Sequence, residues 1–223
     1  MIWIVPMAIA GIIAVLDWWA VADRQADRLD RSDGGLNRRD IERWAKPAVM
    51  VFLIIAAVLI PAESDWIRWW IVIGLAFGLV GDVLLFQDRF IPGAAAFLIG
   101  HVAYIVALVP IEHPMPAVIL GLVIVGAFAV SLGRCIVRGA WRQSPLMGGI
   151  VVAYMVTIGA VVVLAVGSWS TVAGIAALLF MASDTLLAWA RFVGSAPGGR
   201  VMVMVTYQLA QAGFVLAIPT LLV

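Results

Sequence analysis

Eight long apolar runs, separated by short breaks that carry charge, Pro or Gly, occupy most of this chain and tie it to a membrane. They cover residues 2–22, 44–62, 66–86, 91–109, 115–133, 145–166, 169–190 and 201–222. Each is close to the ~20 apolar residues that an α-helix needs to cross the hydrocarbon. The runs are continuous rather than alternating, which argues against a closed antiparallel β-barrel. Of 223 residues, 65% are apolar and 12% charged, where a soluble domain carries roughly 25% charged residues. The predicted fold is therefore an all-α integral membrane bundle of eight transmembrane helices, a single polytopic domain over 1–223 with no room for a soluble one. Several predicted ends carry Trp, as interfacial anchors do: Trp66, Trp69 and Trp70 at the third span, Trp169 at the seventh. The N-terminus contains Ala20-Val21-Ala22, which resembles a signal-peptide cleavage site. It lacks a basic segment, and Asp17-Trp18-Trp19 stands where small residues are wanted, so the reading is a first span that stays in the protein. A net charge of +1 gives no reason to expect nucleic acid, and the single cysteine, Cys135, excludes an intrachain disulfide framework or a multi-cysteine metal site.

The breaks between runs are asymmetric in charge. The first carries Arg24, Arg28, Arg31, Arg38, Arg39 and Arg43, with Lys46 at the next helix start; the third has Arg89, the fifth Arg134, Arg138 and Arg142, the seventh Arg191 and Arg200. Of the 14 basic residues only Arg68 falls near the other side. The positive-inside rule then puts the odd-numbered loops in the cytoplasm and both termini outside it, in the cell's inner (plasma) membrane. Residues 23–43 form the one long loop, a solvated charged turn broken at Asp33-Gly34-Gly35; Asn37 with Asp40 resembles an N-cap, so the second helix is expected to begin in the cytoplasm.

One motif occurs twice. Asp82-Val-Leu84-Leu85-Phe-Gln-Asp-Arg89-Phe90 and Asp184-Thr-Leu186-Leu187-Ala-Trp-Ala-Arg191-Phe192 both read D-x-L-L-x-x-x-R-F and close the third and seventh spans. Pro47 and Pro145 open the second and sixth spans, and Tyr104 and Tyr207 fall in the fourth and eighth, giving offsets of 98, 102 and 103 residues. Four spans separate the copies, so paired helices run in the same direction. The expectation is two parallel four-helix repeats, 1–112 and 113–223, related by an axis along the membrane normal, with Asp82 and Asp184 at matching depth.

Few ionisable side chains lie within the spans: Asp17, Asp82, His101 and Asp184. A charge there costs about 2.5–3.5 kcal/mol even on insertion scales, so such residues usually face a cavity and act. Asp17, near a span end beside two Trp, reads as an interfacial acid. Asp82 and Asp184 each follow a small residue, Gly81 or Ser183, which leaves room for close helices, water or substrate. Two carboxyls sharing a dry site divide their roles, one protonated as acid while the other is ionised. His101 and Tyr104 stand one turn apart on one helix face. Tyr154, Tyr207, Gln208 and Gln211 add polar groups to the sixth and eighth spans, where helix-to-helix bonding is the alternative use. One His and two Asp from three spans have no diagnostic ligand spacing, so no metal and no cofactor is expected.

These residues also carry a resemblance. Lys46-Pro47, Gly81-Asp82-x-x-Leu85, Phe97…Gly100-His101-x-x-Tyr104, Leu179-Phe180-x-x-Ser183-Asp184 and Tyr207…Gln211 occur in the order and span placement of the lysoplasmalogenase-like (YhhN-type) membrane family, which the chain resembles from about Lys46 onward. It departs at Thr206, where an aromatic is frequent, and in its long Arg-rich first loop. The resemblance implies an eight-helix hydrolase that cleaves the vinyl ether of lysoplasmalogens, giving a fatty aldehyde and a glycerophospho-alcohol. It implies a lysolipid substrate, Asp82 and Asp184 as acid and base in unassigned order, and His101 and Tyr104 positioning water or the departing oxygen. Ser183, Tyr154, Tyr207, Gln208 and Gln211 would line the substrate site, and Arg89 or Arg191 would hold the lipid phosphate unless both merely snorkel.

Two other functions use membrane carboxylates. A small proton-coupled transporter would also employ parallel repeats and buried acids. An intramembrane aspartyl protease is suggested by Gly78-Leu-Val-Gly81-Asp82, but its spacing is off by one residue and the second Asp follows rather than precedes it.

Overall fold

The computed structural model describes residues 1–27 and 38–221, and every regular element among them is helical. Nine α-helices follow in order: α1 (Ile4–Asp27), α2 (Arg38–Leu59), α3 (Asp65–Phe86), α4 (Phe90–Leu108), α5 (Met115–Phe128), α6 (Arg134–Gln143), α7 (Pro145–Gly167), α8 (Thr171–Phe192) and α9 (Gly199–Ala217). Starts and stops follow local chemistry. Ser144 accepts from the Met147 amide at 3.2 Å with Pro145 behind it, and Ser170 accepts from the Ala173 amide at 3.3 Å, each satisfying a donor orphaned at a helix start. Gly198 and Gly199, at φ 67° and 58°, turn the chain from α8 into α9. The Asp33-Gly34-Gly35 break and Asn37 of the expected N-cap lie outside the described residues.

Among the described residues, seven helices are long and apolar enough to cross a membrane, and α2 is not among them. Its first turns carry Arg38, Arg39, Asp40, Glu42, Arg43 and Lys46. The stretch from Pro47 to Leu59 spans about 20 Å of helix, short of the roughly 30 Å of hydrocarbon. A second difference concerns the fifth span. A five-residue π-helical turn, Ala129–Gly133, joins α5 to α6, so Met115–Gln143 forms one rod. Arg134, Arg138 and Arg142, expected in a loop, stand on this helix, whose Ile136 and Ala140 are buried.

The outer surface is apolar, with Ile12, Val15, Leu122, Val123, Val156 and Ile175 all exposed. So large an apolar surface suits lipid, not water. Inside, small residues let helices approach. Alanines 173, 176 and 177 on α8 are fully buried, and Gly213 of α9 meets Ala176. At the end away from the arginine-rich loops, Asp65 neutralises Arg68 at 2.9 Å, and the Trp66 indole donates to the Val106 carbonyl at 2.9 Å. The principal helix neighbours are α3 with α4, α8 with α9, α1 with α2 and α5 with α7; α4 also meets α7, and α9 meets α1 and α2. These last contacts bring the polar residues of α4 and α9 together at the centre.

Candidate active site

A stripe of glycines on α3 builds the first half of the site. Gly74, Gly78 and Gly81 recur at helical spacing, and each stands where a large side chain crosses. Gly74 faces the Tyr104 ring, Gly81 faces Phe97, and Gly78 faces both the Tyr207 hydroxyl and the Gln211 amide nitrogen. A Cβ at position 78 would lie 2.7 Å from that nitrogen and 3.0 Å from the hydroxyl oxygen. With the wall stripped to backbone, α9 lays Tyr207 over the next residue in the stripe. The Tyr207 hydroxyl donates to Asp82 Oδ2 at 2.9 Å and lies 3.6 Å from the Met50 sulfur. Gln211 accepts from the Tyr104 hydroxyl and is also hydrogen-bonded to Tyr207. Tyr104 stacks on Phe214 with centroids 4.4 Å apart. The result is a connected chain, Tyr104–Gln211–Tyr207–Asp82, deep in the bundle.

The second carboxyl has different company. Asp184 on α8 faces His101 of α4, with Oδ2 3.4 Å from Nε2, and its carboxyl also accepts a hydrogen bond from the Tyr154 hydroxyl of α7. The His101 ring packs edge-on against Tyr154 at 5.3 Å and Phe180 at 4.6 Å. Its Nδ1 lies 2.8 Å from the Phe97 carbonyl oxygen. A carbonyl only accepts, so that nitrogen carries a proton, and in the neutral ring Nε2 is then an acceptor. Neither His101 Nε2 nor Asp184 Oδ2 has a hydrogen-bond partner. Two acceptor atoms facing each other at this range call for a proton or a bridging water between them.

The two carboxyls are not hydrogen-bonded to each other. Aromatic rings link their surroundings: Phe180 touches both His101 and Tyr207, and Phe97 packs on Tyr207 at 5.7 Å. Each carboxyl is met from the last helix of the opposite half, Asp82 by Tyr207 of α9 and Asp184 by His101 of α4.

Asp184, Tyr154 and Thr185 are the polar residues lining a narrow, otherwise apolar crevice, walled by residues such as Phe97, Phe128, Ile158 and Phe192. Asp82 lines a second, roomier crevice with Arg43, Lys46 and Gln87. Beside both lies a wider vestibule, roughly 1780 Å³ up to its open mouth, lined by Lys46, Asp88, Ser195 and Arg200 among others. Leu85 and Leu187 line both the vestibule and the apolar crevice. They are the second leucines of the repeated motif, each one turn beyond its aspartate.

The remaining candidates are placed as follows. The Ser183 hydroxyl donates to the Val203 carbonyl at 3.1 Å, joining α8 to α9. Gln208 donates to Asp17 at 2.8 Å, on the side of α1. Asp17, read as an interfacial acid, is fully buried; its position on the α9-facing side of α1 decides this, since a helix end near the interface in sequence is covered in space. Arg89 precedes α4 and is exposed. Arg191 is also exposed, its guanidinium 5.0 Å from the centroid of Phe90, a crevice residue. Lys46, Arg200, Leu85, Leu187 and Phe180 were not marked as site residues from the sequence. Lys46 and Phe180 stand in the segments that carry the family resemblance and Leu85 and Leu187 in the repeated motif; nothing local marks Arg200. No group of three or more potential metal-ligating His, Cys, Asp or Glu side chains occurs among the described residues.

Comparison with known proteins bears on this arrangement. No solved structure matches the chain. Over 140 residues it is 34% identical to the pig (Sus scrofa) protein lysoplasmalogenase TMEM86B, covering 59% of this chain. The chain spans about half, 55%, of the length of that curated relative. The YhhN family model matches residues 42–218, from the charged first turns of α2 to the end of α9 and across every residue of both carboxyl centres, and the chain belongs to the YhhN family.

Proposed function

We propose that this protein hydrolyses the vinyl ether bond of lysoplasmalogens, releasing a fatty aldehyde and a glycerophospho-alcohol. The observation that carries the reading is Asp184 on the wall of an apolar crevice with His101 behind it, two facing acceptors that call for a proton or a bridging water between them. Family membership and the lysoplasmalogenase relative support the same chemistry.

A vinyl ether is cleaved by protonation at its β-carbon, the alkene carbon further from oxygen and nearer the alkyl chain. With the chain in the apolar crevice, that carbon is presented to Asp184. The Asp184 carboxyl gives its proton to carbon, the double-bond electrons forming the new C–H bond, and an oxocarbenium ion results. His101 positions the carboxyl and shares the proton during reloading. Water then adds to the cationic carbon. Asp82, held as acceptor by Tyr207, takes a proton from that water. The hemiacetal hydroxyl proton passes to the leaving oxygen as it collapses to aldehyde and glycerol hydroxyl. Asp82 then releases its proton to water while Asp184 takes one up, which restores both carboxyls. Tyr104 and Gln211 position Tyr207 and touch no reacting atom. Atoms balance as one water added per bond broken.

We read α2 as an eighth crossing, its short apolar stretch tolerated because Met50, Leu53, Ala56 and Ala57 are buried by neighbouring helices rather than by lipid. With eight crossings both termini lie outside the cytoplasm, in the plasma membrane, and the chain divides into two four-helix halves that exchange polar contacts at the centre.

Aldehyde release from a lysoplasmalogen by the purified full chain in detergent tests the reading. Turnover without an ion gradient is expected. No aldehyde from folded wild-type protein would overturn it and return attention to proton-coupled transport.

A further inference from the structure

We infer that the vestibule beside the two carboxyl centres is a headgroup site for a zwitterionic lysolipid, with Lys46 and Arg200 taking the phosphodiester and Asp88 the ammonium. The inference rests on the proposed lysolipid reading and adds how the substrate lies and which residues select it.

Three observations carry it. The first is charge. Of the cavities around the site, the crevice reached by Asp184 is almost wholly apolar, whereas the vestibule is lined by two cationic side chains and one carboxylate. A phosphodiester is a delocalised anion that Lys and Arg bind by charge-assisted hydrogen bonds. A carboxylate among them would weaken a purely anionic ligand but complements an ammonium. The second is continuity. Leu85 and Leu187 wall both spaces, so the apolar crevice and the charged vestibule adjoin across these two side chains. The third is register. Asp184 lies one helical turn inward of Leu187 on the wall of the apolar crevice, and Asp82 one turn inward of Leu85 in the crevice that shares Lys46 with the vestibule, so both aspartates stand at the depth where head becomes tail. In a lysoplasmalogen the vinyl ether lies at that junction, between glycerophosphate and alkyl chain.

Lys46 has a second relationship that fits this role. It lines the crevice of Asp82 as well as the vestibule and is within electrostatic range of that carboxyl. A phosphate drawn to Lys46 is therefore held beside the group assigned to the water. Arg89 and Arg191, the arginines of the repeated motif, do not line the vestibule, and this moves phosphate recognition away from them.

The test uses 1-O-hexadecyl-lysophosphatidylethanolamine, a saturated ether that cannot be cleaved by this route, binding to the full chain in detergent. Replacing either cation, Lys46→Gln or Arg200→Gln, is expected to raise its Kd roughly tenfold, the scale of a lost charge-assisted hydrogen bond. Lys46→Arg and Arg200→Lys should recover most of that loss. The preference for this lipid over phosphate-free 1-O-hexadecylglycerol should shrink by the same factor. Asp88→Asn should weaken the ethanolamine lipid while strengthening 1-O-hexadecyl-lysophosphatidic acid. Glycerophosphoethanolamine should compete better than inorganic phosphate. An equal effect of the cation variants on both ether lipids, no effect on either, or equal competition by inorganic phosphate would overturn the headgroup site. Because the probe is not a substrate, cation-dependent binding without aldehyde release from the vinyl ether lipid would leave this inference standing and defeat the hydrolase reading.

Discussion

Asp82 and Asp184 occupy the same place in a repeated motif, yet one is the end of a closed hydrogen-bond chain and the other is half of an unfinished pair. Around Asp82, the hydroxyls of Tyr104 and Tyr207 and the Gln211 amide are all engaged, packed against a helix face stripped to glycine. Around Asp184, His101 Nε2 and Asp184 Oδ2 have no hydrogen-bond partner, and a crevice opens beside them. A satisfied network fixes geometry, while an unsatisfied buried pair is costly to keep and is where a reacting molecule gains most by binding. The difference teaches that sequence symmetry between the two copies of the motif is not chemical symmetry, and in the proposed mechanism it divides the labour: Asp184 is assigned the proton and Asp82 the water.

The largest effect tests that division. Asp184→Asn should lower aldehyde release by about 10³-fold or more, and Asp82→Asn by about 10²-fold, both within the range of a positioned acid or base. If the order is reversed the assigned roles exchange; if neither variant loses much, the carboxylate mechanism fails. The next effect is one of packing and should fall on the Asp82 side alone. Gly78→Ala drives a methyl group into Gln211 and Tyr207 and should destabilise the protein by about 1–3 kcal/mol, the usual range for overpacking, read as earlier melting in detergent. Gly149, which has nothing within 4 Å, is the control. Gly149→Ala melting as early as Gly78→Ala would show that the glycine stripe is not what seats the network. The smallest effect sharpens the comparison further. Tyr104→Phe leaves Gln211 short of a donor and should cost about 1–3 kcal/mol of stability with only a few-fold loss of rate, since Tyr104 acts through Gln211 and Tyr207. A loss as large as that of Asp82→Asn would instead put the Tyr104 hydroxyl on the substrate.

Much of the fold was legible because it is written locally. A run such as 145–166 declares a membrane helix by composition alone, and Ser144-Pro145 marks where it starts; the observed α7 is Pro145–Gly167. The limits of local reading show at α2, whose charged turns belong to the same helix as its apolar ones, and at Ala129–Gly133, where a π turn carries the helix through the expected stop. The aspartates stood out because an acid within an apolar run needs a reason to be there. Tyr104 and Tyr207, matched in the repeat, gave no hint that one would bond Asp82 and the other Gln211. Asp17 was misread for a related reason: distance from a span end is a sequence property, whereas burial under α9 is not.

The sequence by itself determined that the chain is helical and apolar outside, where its basic ends lie, and which few residues carry charge inside. These follow from the transfer of each residue between water and lipid, a sum over neighbours in the chain. Only the tertiary structure decided which polar groups meet. That depends on helix rotation and on close approaches such as the one Gly78 permits to Tyr207 and Gln211, more than a hundred positions away, and no local pattern encodes it. The pairing of His101 with Asp184, the chain from Tyr104 to Asp82, and the meeting of Lys46 with Arg200 at one vestibule all belong to that second kind.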